Sequence, residues 1–175
     1  MGICQEPCAN EFVNDSKKRV PHRDEPRKFE PMTRQQVLLA ILAAANGRPF
    51  SPAQIQKAAF LVSRNLPNLV DQGPKYNFVP YDYGPFDQAV YADAEAMRAD
   101  GEVEISPSPL GRWNIYAATD AGIARGAVVA SRMDSRSRKY IHGVVDWVRS
   151  LSFQQLVKAI YEQYPEMREN SIFKD

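Results

Sequence analysis

The amino-acid sequence predicts an α+β domain that is mostly helical, and three observations carry that expectation. Thr33 with Gln36, Ser51 with Gln54 and Ser152 with Gln155 each stand ahead of apolar residues at helical spacing. In such a capping box, hydroxyl and amide satisfy the first free N–H groups of a helix reciprocally. Residues 102–117 instead alternate apolar and polar side chains on either side of a Pro- and Gly-rich connection, the pattern of a β-hairpin. The third observation is order: three helices and then the hairpin, which is the linear order of a winged helix. Residues 33–175 are therefore expected to form one winged-helix-like core, three helices plus a β-hairpin, extended by a C-terminal helical pair.

The first helix runs from the Thr33 cap to about Asn46, with Val37, Ile41, Ala44 and Ala45 recurring on one side until Gly47 stops it. The second opens at Ser51 with Pro52 in its first turn, runs to about Asn65, and carries Ile55, Ala58, Ala59, Val62 and Leu66. Pro67, Asn68, Gly73 and Pro74 then mark a loop. Tyr76 to Tyr83 alternates aromatic and polar residues around Pro80; proline has no N–H to donate, so a strand here is short and at an edge. Gly84 and Pro85 are expected as the turn that opens the third helix, Phe86 to about Ala99, whose apolar stripe is Phe86, Val90, Ala94 and Met97 and whose stop is Gly101. Glu102–Ser106 and Arg112–Ala117 are the hairpin strands. Thr119 caps a fourth helix reaching about Met133, in which Gly122 and Gly126 have the helical spacing that suits close packing. A fifth helix carries Ile141, Val144, Val145, Val148 and Leu151, and a sixth carries Phe153, Leu156, Val157, Ile160 and Tyr164 up to Pro165.

Residues 1–32 contain six basic and six acidic side chains and no apolar periodicity. Too little apolar surface falls on any one face to offset the entropy of ordering, so a flexible arm is expected. Cys4 and Cys8, the only cysteines, have His22 as their only candidate companion, short of the four ligands a structural zinc takes. Neither a metal nor a cofactor is expected. Glu6 stands where an acylated N-terminus requires Ser or Thr, and no charged-then-apolar leader is visible, so the expected compartment is the cytoplasm. The longest apolar run, Val37 to Ala45, is nine residues, whereas a membrane-crossing helix needs about 20.

With 22 Lys plus Arg against 21 Asp plus Glu in 175 residues, net charge is +1, which lacks the global footprint of a dedicated nucleic-acid binder. The third helix, at the recognition position, carries Asp87, Asp93, Glu95 and Asp100 against Arg98 alone, so phosphates would repel it. The tip Pro107, Ser108, Pro109, Leu110 has no arginine for a minor groove; only Arg112 lies beside it. One basic cluster remains at the junction of helices four and five: Arg125, Arg132, Arg136, Arg138 and Lys139. A solvated face is the simpler reading, and a DNA-binding transcription regulator using Arg132, Arg136, Arg138 and Lys139 is the alternative function. Catalysis has little to stand on. His22 and His142 are the only imidazoles, Glu102 and Glu104 share the wet face of a strand, and no nucleotide, metalloprotease or phosphate-loop motif is present.

The most distinctive stretch is Tyr81, Asp82, Tyr83, Gly84, Pro85, Phe86, Asp87, followed by Tyr91 and Glu95 on the next helical turns. Tyrosine combines a large apolar ring with a polar tip, which suits partner recognition, although the same rings can finish a core. The expected partner-binding set is Tyr81, Tyr83, Gly84, Pro85, Asp87, Tyr91 and Glu95. Here the chain resembles the Panacea domain, the SocA-like antitoxin family. The residues that carry the resemblance are Gln56, Lys57, Ala58, Ala59, Phe60 and Leu61; the Tyr83, Gly84, Pro85 turn with the Val90, Tyr91 pair; and Tyr164, Pro165, Glu166 closing the last helix. They span Gln36 to Met167. Phe78, Val79, Pro80, Tyr81 and Asp82 replace the tryptophan-containing stretch usual before Tyr-Gly-Pro, and the hairpin is longer, as in a divergent member. The resemblance implies a non-catalytic prokaryotic or phage protein that neutralises or delivers a toxin, encoded nearby, through direct protein contact.

Overall fold

The computed structural model describes residues 31–174. The expected arm lies outside the described residues except for Pro31 and Met32, and Cys4, Cys8 and His22 lie outside with it. Met32 belongs to the ordered domain. Its side chain is buried, its N–H donates to Asp71 Oδ1 at 2.7 Å, and its carbonyl accepts from the N–H groups of Asp71 and Gln72. One buried methionine leaves no periodicity for the sequence to show.

The architecture is α+β and mostly helical. In chain order the elements are α1 (Arg34–Ala44), α2 (Pro52–Asn65), β1 (Val79–Tyr81), β2 (Gly84–Phe86), α3 (Gln88–Ala99), β3 (Val103–Pro107), β4 (Asn114–Ala118), α4 (Asp120–Ser131), α5 (Ser135–Ser150) and α6 (Phe153–Gln163), then a 3-10 turn over Pro165–Arg168. All three capping boxes form: the hydroxyls of Thr33, Ser51 and Ser152 accept from the N–H of Gln36, Gln54 and Gln155, whose side chains accept from the cap N–H in return.

The expected element order is kept, with one insertion. Residues 79–86 form a hairpin of their own, Val79 opposite Phe86, Pro80 opposite Pro85 and Tyr81 opposite Gly84, turning at Asp82 and Tyr83. Gly84 and Pro85 are thus strand residues rather than a helix-opening turn, and α3 starts later, with Asp87 as its N-cap. Placing the two prolines opposite each other puts both missing N–H groups at one register position, where the ladder needs neither.

Helices α1 and α2 form the centre. Val37 to Leu42 and Ile55 to Val62 are buried without a break, so neither helix shows water a long face. Helix α4 packs most extensively along α1, and its glycines explain the approach. A Cβ on Gly122 would come within 1.8 Å of Glu102 O, and one on Gly126 within 2.3 Å of Ala43 Cβ. Phe50 exchanges backbone hydrogen bonds with Tyr116 at 2.8 and 3.0 Å, which lays the β3–β4 hairpin beside the start of α2. The C-terminal segment returns to the first hairpin: the Ile172 N–H donates to Asp82 O at 3.0 Å and Asn170 Nδ2 to Pro80 O at 3.2 Å. No described helix is long and apolar enough to cross a membrane.

Candidate functional site

The first hairpin closes over a cavity of about 570 Å³. Ser51, Pro52 and Ala53 at the start of α2 form one wall, with Gln56 and Lys57 a turn deeper; Tyr81 to Gly84 and Phe86 form the lid. Tyr91 of α3, Trp113 beside β4 and Phe153 at the start of α6 complete it. The rings are mutually supported. Tyr81 stacks on Phe86 at 4.9 Å between centroids, Phe86 meets Tyr91 at 5.9 Å, and Tyr91 stacks on the core residue Tyr116 at 5.6 Å. Tyr83 and Phe153 meet edge to face at 5.1 Å, a geometry that the ring quadrupoles favour. The Tyr91 hydroxyl donates to Pro52 O at 3.4 Å, and burial pushes it up to about 12.

Two polar side chains are buried at the inner end. Gln56 pairs with the backbone of Asp87: its Nε2 donates to Asp87 O and its Oε1 accepts from Asp87 N–H. Lys57 is only 4% exposed. Among the described residues its ammonium makes no hydrogen bond or ion pair, and burial pushes it down to about 8. Gly84 lies directly above it. A Cβ there would sit 3.6 Å from Lys57 Cε and 3.7 Å from Nζ, and φ is +102°. The added carbon would make only ordinary contacts, so it is the positive φ that favours glycine.

The expected partner-binding residues divide. Tyr81, Tyr83, Gly84 and Tyr91 all border the cavity, while Pro85 is buried and off the lining. Asp87 is turned to structure: Oδ1 accepts from Ala89 N–H at 2.8 Å, capping α3, and Oδ2 accepts from Asn77 N–H at 2.6 Å. Glu95 lies off the lining and pairs with Arg98 at 2.8 Å. The acidity of α3 is also partly internal, because Asp93 accepts from Arg34 Nε at 2.8 Å and from the Tyr76 hydroxyl at 2.7 Å.

Lys57, Trp113 and Phe153 are lining residues outside the expected partner-binding set. Trp113 reads as a strand residue and Phe153 as part of a core stripe, yet they are 41% and 45% exposed. The available signal for Lys57 was its place in an otherwise apolar run from Ile55 to Val62, with Gln56 beside it.

The alternative nucleic-acid set is dispersed in role. Arg132 Nη2 donates to Pro31 O at 3.0 Å, and Arg138 Nη1 to Met133 O at 3.1 Å, closing the end of α4. Arg136 and Lys139 border a separate open cavity of about 810 Å³ together with Tyr140 and Trp147. Among the described residues, no group of three or more His, Cys, Asp or Glu could hold a metal ion. No protein-family model and no curated protein matches the chain.

Proposed function

We propose that the protein is a non-catalytic, antitoxin-like interaction module of the cytoplasm that grips a partner protein, a toxin encoded nearby, through the aromatic rim of this cavity. The observation that carries this reading is the clustering of exposed rings. Tyr81, Tyr83, Trp113 and Phe153, from 41% to 50% exposed, border one opening. Single exposed apolar residues are ordinary, but a contiguous group marks an interaction surface, and Tyr and Trp supply contact area at low entropic cost. The resemblance supports the same place, since its Tyr83, Gly84, Pro85 turn forms part of the hairpin lid. Rings rather than the acidic helix are the basis of recognition, because Asp87 and Asp93 are hydrogen-bonded within the domain.

Coexpression with the tagged product of the adjacent gene tests the reading. The native chain should copurify, and a Tyr83→Ala, Phe153→Ala double variant should lose at least tenfold in retention, given about 2 kcal/mol for a central aromatic contact. Equal retention of native and variant chains rules the rim out.

A further inference from the structure

The interior of the cavity holds a charge that nothing in the described residues balances. Lys57 is 4% exposed and borders the cavity, and burial without a counter-charge disfavours the charged ammonium. Asp82 is the only other ionisable group of formal charge on the lining, and it forms no ion pair with Lys57. With its pKa near 8, the lysine remains mostly protonated at neutral pH. The first turn of α2, Ser51 to Ala53, borders the same space and adds the positive end of a helix to the cation.

We propose that this cavity binds a small aromatic monocarboxylate, its carboxylate paired with the Lys57 ammonium and its ring held between Tyr83, Phe86, Tyr91 and Trp113.

The choice of a monoanion follows from the donors. Lys57 is the only cation on the lining, while the Tyr91 hydroxyl donates to Pro52 O and one N–H of the Gln56 amide to Asp87 O. A phosphate dianion calls for several charge-assisted hydrogen bonds; one ammonium matches one carboxylate. The choice of an aromatic body follows from the ring-lined walls, and about 570 Å³ lies within the range of roughly 300–1,000 Å³ for small-molecule sites. The carboxylate contact with Lys57 lies beneath the rim, and calorimetry of the chain alone reads it with no partner protein present.

Isothermal titration calorimetry of the full chain tests it with 1-naphthoate and with 1-naphthamide, which has the same ring and no charge. At pH 7 naphthoate should bind at least tenfold more tightly than naphthamide, and Lys57→Met should remove that preference. A second arm needs no substitution. Raising the pH from 7 to 9 discharges Lys57 and should weaken naphthoate binding about tenfold. The other ionisable groups facing Lys57 are Asp82, Tyr81 and Tyr83 of the hairpin region, Tyr91 of α3 and Tyr161 of α6. Equal affinity for the two probes, naphthoate affinity unchanged in Lys57→Met, or affinity unchanged between pH 7 and 9 overturns the proposal.

Discussion

The side-chain amide of Gln56 closes both backbone hydrogen bonds of Asp87: Nε2 donates to Asp87 O at 3.0 Å, and Oε1 accepts from Asp87 N–H at 3.1 Å. A buried amide thereby acts as a short strand, tying α2 to the junction of β2 and α3. Asp87 passes the restraint on, capping α3 with one carboxylate oxygen and holding Asn77 N–H with the other. One glutamine thereby anchors the α3 end of the lid to α2.

Gln56→Leu preserves bulk and removes both bonds. Two backbone groups are left unpaired beside a buried side chain, at about 1–3 kcal/mol for each such group. Urea unfolding should show a loss of about 2–4 kcal/mol. A loss below about 0.5 kcal/mol would mean that the lid is anchored elsewhere.

Lys57→Met should stabilise the protein, an unusual direction for a core substitution. The lysine's folded-state pKa, about 8, lies below its ordinary 10.5, so between these values the unfolded chain holds more protons and stability rises with pH. The penalty is fully present below about 8 and gone above the ordinary value. At about 1.4 kcal/mol per pH unit, it amounts to at most about 3 kcal/mol at pH 7. The gap between Lys57→Met and the native chain, measured by urea unfolding, should be widest at pH 7 and narrow steadily from pH 8 to pH 10. A gap independent of pH would show that the ammonium is hydrated.

These two side chains also mark where local sequence stops being informative. Thr33, Ser51 and Ser152 were legible as caps because each interaction spans three residues. Gly122 and Gly126 were legible as a packing face because their spacing is helical. Helix α2, by contrast, is buried on every side from Ile55 to Val62, so periodicity does not tell whether Gln56 and Lys57 point inward. The first hairpin was hidden by Pro80 and Pro85, which argue against a ladder until they are seen to face each other. Asp87, expected in the partner-binding set, stands before Gln88 in a place that suits an N-cap. The contact of Tyr83 with Phe153 joins segments far apart in the chain, and no local pattern announces such a pair.

The glycines of α4 and α5 form an internally controlled series. Gly122→Ala drives a methyl into the Glu102 carbonyl, which also accepts from Thr119 N–H and has little freedom to retreat. A loss of about 3 kcal/mol or more is expected from such overpacking, and about 1–3 kcal/mol from Gly126→Ala, which meets Ala43 Cβ. Gly143 in α5 has nothing within 4 Å of the added carbon. Gly143→Ala should therefore stabilise by up to about 1 kcal/mol through helix propensity. Thermal melts of the three variants should rank 143 above native, then 126, then 122; any other order contradicts the tight α1–α4 contact.

The C-terminal segment should govern the mobility of the lid without governing the fold. Ser171 Oγ accepts from the Tyr161 hydroxyl at 2.5 Å and donates to Asp82 O at 3.2 Å, while Ile172 N–H and Asn170 Nδ2 hold Asp82 O and Pro80 O. The bonds to Asp82 O and Pro80 O come from outside the hairpin, whereas α1 and α2 are packed by other elements. Removing residues 170–175 should thus cost only about 1–2 kcal/mol of global stability, since the released carbonyls can be hydrated. Amide exchange in residues 79–86 should nevertheless accelerate at least tenfold, with protection in α1 reduced only by the global loss, as expected for a local opening. Unchanged exchange in the hairpin would leave Gln56 and Asp87 as its sufficient anchor; parallel acceleration in α1 and the hairpin would show that lid and core open together.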